Sequence, residues 1–302
     1  MSFNGRREYL FVYTVKDANP NGDPLDANSP RREEETGQIM VSDVRVKRTV
    51  RDQWIREGKE VFVDGETKTL NARVDEIKKR FSVSTGREAL ANCIDTRLFG
   101  VTFALGKESF SWTGPVQFKW GRSLHRAEPK LVQGTAAFTT GEGKEQRSFR
   151  NEYIVPFVVI ADYGIANQYA SSQTGATDDD LDCLRESLWK GTINLITRSK
   201  VGHCPRFLLE VSYMDGFDGA VGSMDEKVEL KNPDGSPMSE DQQLALRAPD
   251  SCSMDISRLA GKLVAREKDV RKIRVITDKE IPVVGLDELC DTFGERIVIE
   301  TR

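Results

Sequence analysis

The stretch YLFVYTVKDANPNGDPLDANSPRREEETGQIMVSDVRVKRTVRDQW (residues 9–54) decides how the rest of the chain is read. Tyr9 to Val15 is an aromatic and β-branched run, the composition of a strand. It ends in a loop, residues 17–37, dense in Asn, Gly, Pro and Asp, which break regular structure. A helix is expected from residue 43. Ser42 is its N-cap, Asp43 suits the positive N-terminus, and Val46, Val50 and Trp54 form an i, i+4, i+8 apolar stripe. Arg45, Lys47, Arg48 and Arg51 lie off that stripe and are available for anions.

Asp17-Ala18-Asn19-Pro20-Asn21-Gly22 fits the opening of a calcium loop, with oxygen ligands at positions 1, 3 and 5 and glycine at 6. Position 12 is Asn28 where a bidentate Glu is needed, and prolines stand at 20 and 24. No metal is therefore expected. The plainer reading is an Asx-rich turn with the Asp23 carboxylate held by backbone N–H groups.

Of the 302 residues, 38% are hydrophobic and 30% charged, enough for a core beneath much solvated surface. No run approaches the ~20 apolar residues of a membrane span, no signal-peptide core follows the first eight residues, and the five cysteines are scattered. Reduced thiols in a cytoplasm are the expectation. The net charge of −4 argues mildly against a nucleic-acid binder, so its distribution matters. Residues 42–51, 119–150 and 196–206 carry net +3, +4 and +3, which leaves −14 for the remainder.

Further along, residues 64–81 and 87–100 read as two helices joined at SVSTG. In the turn DTRLFG, Leu98 and Phe99 are expected in the core, with Asp95 paired to Arg97. Phe110, Trp112, Val116, Phe118 and Trp120 share parity, as on one face of a single extended strand. Gln117, Lys119 and Arg122 would face the other way. Gln117 is suited to sugar or base, and Arg122 and Ser123 to phosphate. Residues 127–150, with glycines at 134, 141 and 143, read as a protruding hairpin or arm. Tyr153 to Ile160 is a buried strand. Thr177 and Asp180 then form a capping box ahead of Leu181, Leu184 and Leu188, and the run Asp178–Asp180 is a solvated helix start rather than a metal site. Phe207 to Met214 is a strand; residues 215–270 turn polar and end in an amphipathic helix, and two short strands close the chain. Insertions aside, the order is strand, helix, strand, strand, helix, strand. That is the ferredoxin-like βαββαβ plan of an α+β protein, in which RNA-recognition modules use the open sheet face.

The ordered string Asn19-Pro20-Asn21-Gly22-Asp23-Pro24, then Asp43, Arg45, Lys47, Arg48 and Arg51, then G-P-V-Q-x-x-x-G-R-S-L at 114–124, resembles the RNA-binding backbone subunit of type I CRISPR Cascade complexes. Within that repeat-associated (RAMP) superfamily it is most similar to the type I-B and I-C branches. Thr197-Arg198-Ser199-Lys200 resembles the family's R-S-K turn, although Gly202-His203 stands where the family shows Gly-Gln. The resemblance spans residues 9–214. It implies a single hand-shaped domain, residues 1–302: an RRM-like palm, helical fingers at 56–100, a thumb hairpin at 124–152 and a polar, helical insertion at 215–270. It also implies RNA contacts at Asn19, Asn21, Gly22, Arg45, Lys47, Arg48, Arg51, Gln117, Lys119, Arg122, Ser123, Arg147, Arg150, Arg198, Ser199 and Lys200. The implied partners are a CRISPR guide RNA, the target DNA strand paired to it, further copies of the chain arranged head to tail, and other Cascade subunits. No membrane, cofactor or catalytic residue is expected.

Only His125 and His203 are present, and no G-x-S-x-G, Walker A or H-E-x-x-H string appears. Three readings stay open on the residues alone. They are a non-catalytic guide-RNA backbone subunit, a metal-dependent ribonuclease of the same superfamily using Asp23 or Asp26, and a stand-alone RNA-binding module.

Overall fold

The computed structural model describes residues 1–66, 68–135 and 149–302, with backbone alone at 135, 149 and 150. Strand β1 (Arg7–Ala18) is longer than the apolar run suggests, and every residue from Arg7 to Val15 is buried. The Asx-rich loop holds a small pair, β2 (Gly22–Asp23) against β3 (Ser29–Pro30), before β4 (Gln38–Val41) leads into helix α1 (Asp43–Arg56). The Ser42 side chain accepts the Arg45 amide N–H, and Val46, Val50 and Trp54 are buried as the stripe requires.

Helices α2 (Leu70–Phe81), α3 (Gly86–Ala91) and α4 (Ile94–Phe99) precede a hairpin of β5 (Gly100–Leu105) and β6 (Glu108–Thr113). Val74, Leu90, Phe103 and Trp112 give this region a small core of its own. The helix expected over 87–100 is broken at Asn92-Cys93. The single strand expected over 110–120 is also broken. Trp112 belongs to β6, Val116–Phe118 forms β7, and Trp120 is exposed in the link to β8 (Gly121–Arg126). Chain crossing causes the break, because a Cβ on Gly114 would lie 2.1 Å from the Phe99 carbonyl carbon. Parity persists across the break and mimics one strand.

Strand β9 (Lys130–Thr135) pairs antiparallel with the start of β10 (Phe149–Ala166), giving the root of the expected hairpin. Helices α5 (Gln168–Thr174) and α6 (Asp178–Ile193) follow, then β11 (His203–Tyr213). The Thr177–Asp180 capping box is formed. Beyond residue 214 come β12 (Glu229–Lys231), α7 (Glu240–Ala245), β13 (Ser253–Asp255), α8 (Ser257–Val264), β14 (Val270–Thr277), β15 (Val283–Val284), α9 (Leu286–Phe293) and β16 (Ile297–Thr301). No helix among the described residues is long and apolar enough to cross a membrane.

The main sheet runs β16-β14-β11-β1-β10-β8-β4, with β7 and β9 also on β10; only the β14–β16 pair is parallel. The period-2 alternation of β1 feeds two separate cores. Tyr9, Phe11, Tyr13 and Val15 pack with Val50 and Trp54 of α1 and with Leu184 and Leu188 of α6. Leu10 and Val12 pack on the opposite face with Met224, Met254, Leu259, Leu263, Leu289 and Phe293. The sheet face expected to be open to RNA is therefore closed by the C-terminal third. Glu8, fully buried there, accepts hydrogen bonds from the hydroxyls of Tyr163 and Tyr213 and from the amides of Val221 (2.8 Å) and Gly222 (2.7 Å).

Leu98 and Phe99 are buried as expected, but the Asp95–Arg97 pair is not formed. Arg97 makes a bidentate contact with Asp180 (2.7 and 2.9 Å). Asp95, wholly buried, accepts from Arg51 (2.9 Å) and from the amides of Phe62 (2.7 Å) and Val63 (3.1 Å). Removing one partner of a buried ion pair strands the other charge. Asp95→Ala should therefore cost about 3 kcal/mol and lower the melting temperature by roughly 6–12 °C. Thermal and urea unfolding check this, and a loss below about 1 kcal/mol would reduce the pair to an exposed-type contact.

Candidate nucleic-acid interface

Asn19, Asn21 and Gly22 meet Ser199 and Lys200 across one open cleft of about 390 Å³, together with Asn28, Asn151, Glu152 and Tyr153. The two loops are latched by backbone and side chain. Asn19 N–H donates to the Ser199 carbonyl (2.9 Å), and the Lys200 ammonium donates to the carbonyls of Asn19 (2.5 Å) and Pro20 (3.2 Å). The chain can approach this closely because residue 202 is glycine at φ +113°; a Cβ there would stand 2.3 Å from the Lys16 carbonyl oxygen. Asn21 ties the loop to the helix by accepting the Ser42 N–H (2.8 Å), and Asn19 donates to the Asn28 carbonyl (2.7 Å). Asp23 accepts from the Leu25 amide (3.0 Å) and from Arg31 (2.8 Å), as a turn carboxylate should.

Lys200 is the cation that lines this cleft, and Arg45, close enough to bear on its charge, lines a separate pocket with Pro20, Asp162 and His203. Among the described residues, no carboxylate stands within ion-pair distance of Lys200 or Arg45, and one guanidinium nitrogen of Arg45 is buried with no partner. Burial, with the Arg45 charge close by, brings the Lys200 pKa down to about 7. Burial lowers that of Arg45 as well. His203, stacked on Tyr13 with its Nδ1 2.6 Å from the Lys200 carbonyl oxygen, is pushed by burial down to about 3 and stays neutral. A buried cation held by carbonyls alone, as Lys200 is, suits an anionic ligand such as a phosphate.

The other expected basic contacts are engaged within the fold. Lys47 pairs with Asp43 (2.9 Å) and reaches Gln117 (3.5 Å). Arg48 pairs with Asp52 (2.6 Å) and donates to the Val63 carbonyl (2.8 Å). Arg51 is bound to Asp95 and, like Lys47, lies over the Phe99 ring, at 5.2 and 5.6 Å respectively. Lys47, Arg48 and Arg51, three of the five cations on α1, therefore brace it against the 60–99 region. Lys119 pairs with Asp225 and Glu226, Arg122 with Glu33, and Arg198 with Glu152 (3.2 Å). Ser123 is corrected outright. It is fully buried, its hydroxyl accepting from the Ile39 amide (2.9 Å) and donating to the His125 carbonyl (2.6 Å), so no phosphate reaches it. The Asp178–Asp180 run is not merely solvated either, since Asp178 holds Arg7 and Asp180 holds Arg97. Arg147 and the Arg150 side chain lie outside the described residues.

Asn28, Asn151 and Tyr153 line the cleft without having been singled out in the sequence. Asn28 carried a signal, as it stands in the same Asx-rich loop; the other two are joined to the cleft only by the path of β10.

A family model described as CRISPR-associated protein Cas7 matches residues 5–249. A CRISPR-associated protein Cas7 of Haloferax volcanii is 29% identical over 261 residues, which cover 76% of each chain. A solved chain from a CRISPR RNA-guided surveillance complex, in a pre-nicking state, superimposes with a TM-score of 0.56 at 13% identity, covering 92% of this chain and 95% of that one. The shared fold is a mixed α+β architecture with one large sheet. With four-fifths of its length inside the family match, the chain belongs to the CRISPR-associated protein Cas7 family.

Proposed function

We propose that this chain is a non-catalytic backbone subunit that holds a CRISPR guide RNA in a type I surveillance complex, its nearest likeness being the I-B and I-C branches. The observation that carries this is Lys200, which lines the cleft beside the Asx-rich loop and has no carboxylate partner among the described residues, with the Arg45 charge close by. The family membership and the surveillance-complex fold likeness support the same reading. The β11-β1-β10-β8 order, with α1 and α6 on one face, supports a ferredoxin-like palm. Residues 56–100 then serve as fingers, 124–152 as a thumb and 215–270 as a cover for the palm.

In this reading, phosphates of the guide enter the cleft and copies of the chain stack head to tail along the RNA. Such heterologous contacts build an open filament bounded by other subunits. The thumb interrupts the guide at intervals, target DNA pairs in short segments, and specificity rests on base pairing. The nuclease alternative loses support at Asp23, whose carboxylate is already taken by Arg31 and the Leu25 amide.

Native mass spectrometry and RNA integrity with magnesium present test this directly. Intact RNA in a large, salt-sensitive particle is expected; a small complex with cleaved RNA overturns the reading. Lys200→Ala and Arg45→Ala should each weaken RNA binding several-fold and reduce the salt slope by about 0.7, whereas Arg51→Ala should chiefly lower the melting temperature. Binding should also fall as pH rises from about 7 to 9. Free Lys200 loses its proton through about 7, well under the ordinary 10.5, and a bound phosphate retains it. The stability of the RNA-free fold moves oppositely, because over that window the unfolded chain binds the extra proton. Lys200→Met should flatten both profiles, and a persistent slope in that variant would remove Lys200 as the cause.

A further inference from the structure

Beside the Lys200 cleft, and sharing Tyr153 with it, lies a second cleft of about 530 Å³ that includes Trp120, Arg31, Met40, Asp26 and Glu34. Trp120 is 42% exposed, whereas Trp54, Trp112 and Trp189 are buried. It stands in the two-residue link between β7 and β8, with the Arg31 guanidinium 6.0 Å from its ring centroid. That distance is the outer edge of a cation–π contact, so little is lost if another planar group takes the ring face.

We propose that this cleft is a nucleobase subsite, in which an unpaired base of the bound RNA stacks on Trp120 while its phosphates occupy the neighbouring Lys200 cleft. The inference rests on the RNA-subunit reading and adds the group that the second cleft takes. The lining sets Asp23, Asp26 and Glu34 against Arg31 and Arg32, so its formal charge does not favour a phosphate. Asp26 and Glu34 in that lining can both accept hydrogen bonds from exocyclic amino groups. The Trp120 ring and the Arg31 plane match the stacking surfaces that single-stranded bases use. Tyr153, on the wall shared by the two clefts, marks where sugar and base part.

Tryptophan emission provides the test, because the other three indoles are shielded. Single-stranded RNA should quench wild-type emission. Trp120→Phe, which keeps a stacking ring, should bind within about three-fold of wild type but lose the RNA-dependent quench. Trp120→Ala should bind roughly ten-fold more weakly, the loss of one stacked base. Its melting temperature should stay near wild type, since the side chain is partly solvated. An abasic ribose-phosphate oligomer keeps the charge without the bases and should bind without quenching. Undiminished quenching in Trp120→Phe, or wild-type affinity in Trp120→Ala, overturns the subsite and leaves the RNA-subunit reading standing. A wild-type protein that binds no RNA removes both.

Discussion

Burial of β1 on both faces is the constraint from which the rest of the architecture follows. A half-buried antiparallel sheet needs one cover; this one needs two, because Leu10 and Val12 are as buried as Phe11 and Tyr13. The helices supply the first cover and residues from the last third of the chain the second. Glu8 pins the second in place, a carboxylate fully out of water with four donors around it. A stretch that reads as polar filler is thus half of a core.

This closure leaves the sheet face unavailable to a ligand. RNA-recognition modules offer aromatic rings on an open sheet surface, and here that surface is spent on packing. An open cleft lies instead where the Asx-rich loop, the turn before β11 and the start of β10 converge. The convergence depends on contacts between residues about 180 positions apart, and Lys200 makes several of them. Lys200 is used as a latch, with backbone carbonyls in place of carboxylates, so its charge is not neutralised by an acidic partner and depends on pH near 7.

Local chemistry was legible in the sequence, and long-range pairing was not. The Ser42 cap, the Val46–Val50–Trp54 stripe, the Thr177 capping box and the Asx turn at Asp23 are set by residues within a few positions of each other, and each appears in the structure. The basic windows misled because charge along the chain says nothing of charge across space. Asp95 reaches Arg51, Asp225 reaches Lys119 and Glu33 reaches Arg122 from distances no periodicity reports. The strand expected over 110–120 failed for a related reason, since the obstruction at Gly114 is the backbone of Phe99, in another element.

Strand β10 is a mechanical part as well as a hydrogen-bonded one. Its residues 149–154 pair with β9, and from Val155 the same unbroken strand is built into the sheet beside β1. Pro156 marks the changeover. It has no N–H to donate and falls opposite Asp17, which is held at φ +49°. The hairpin root is therefore continuous with a strand held against β1 by eleven paired residues between Val155 and Ala166, the ladder skipping only Pro156. The β9–β10 pairing is thereby joined, through one unbroken strand, to β1 and to the packed layers on either side of it.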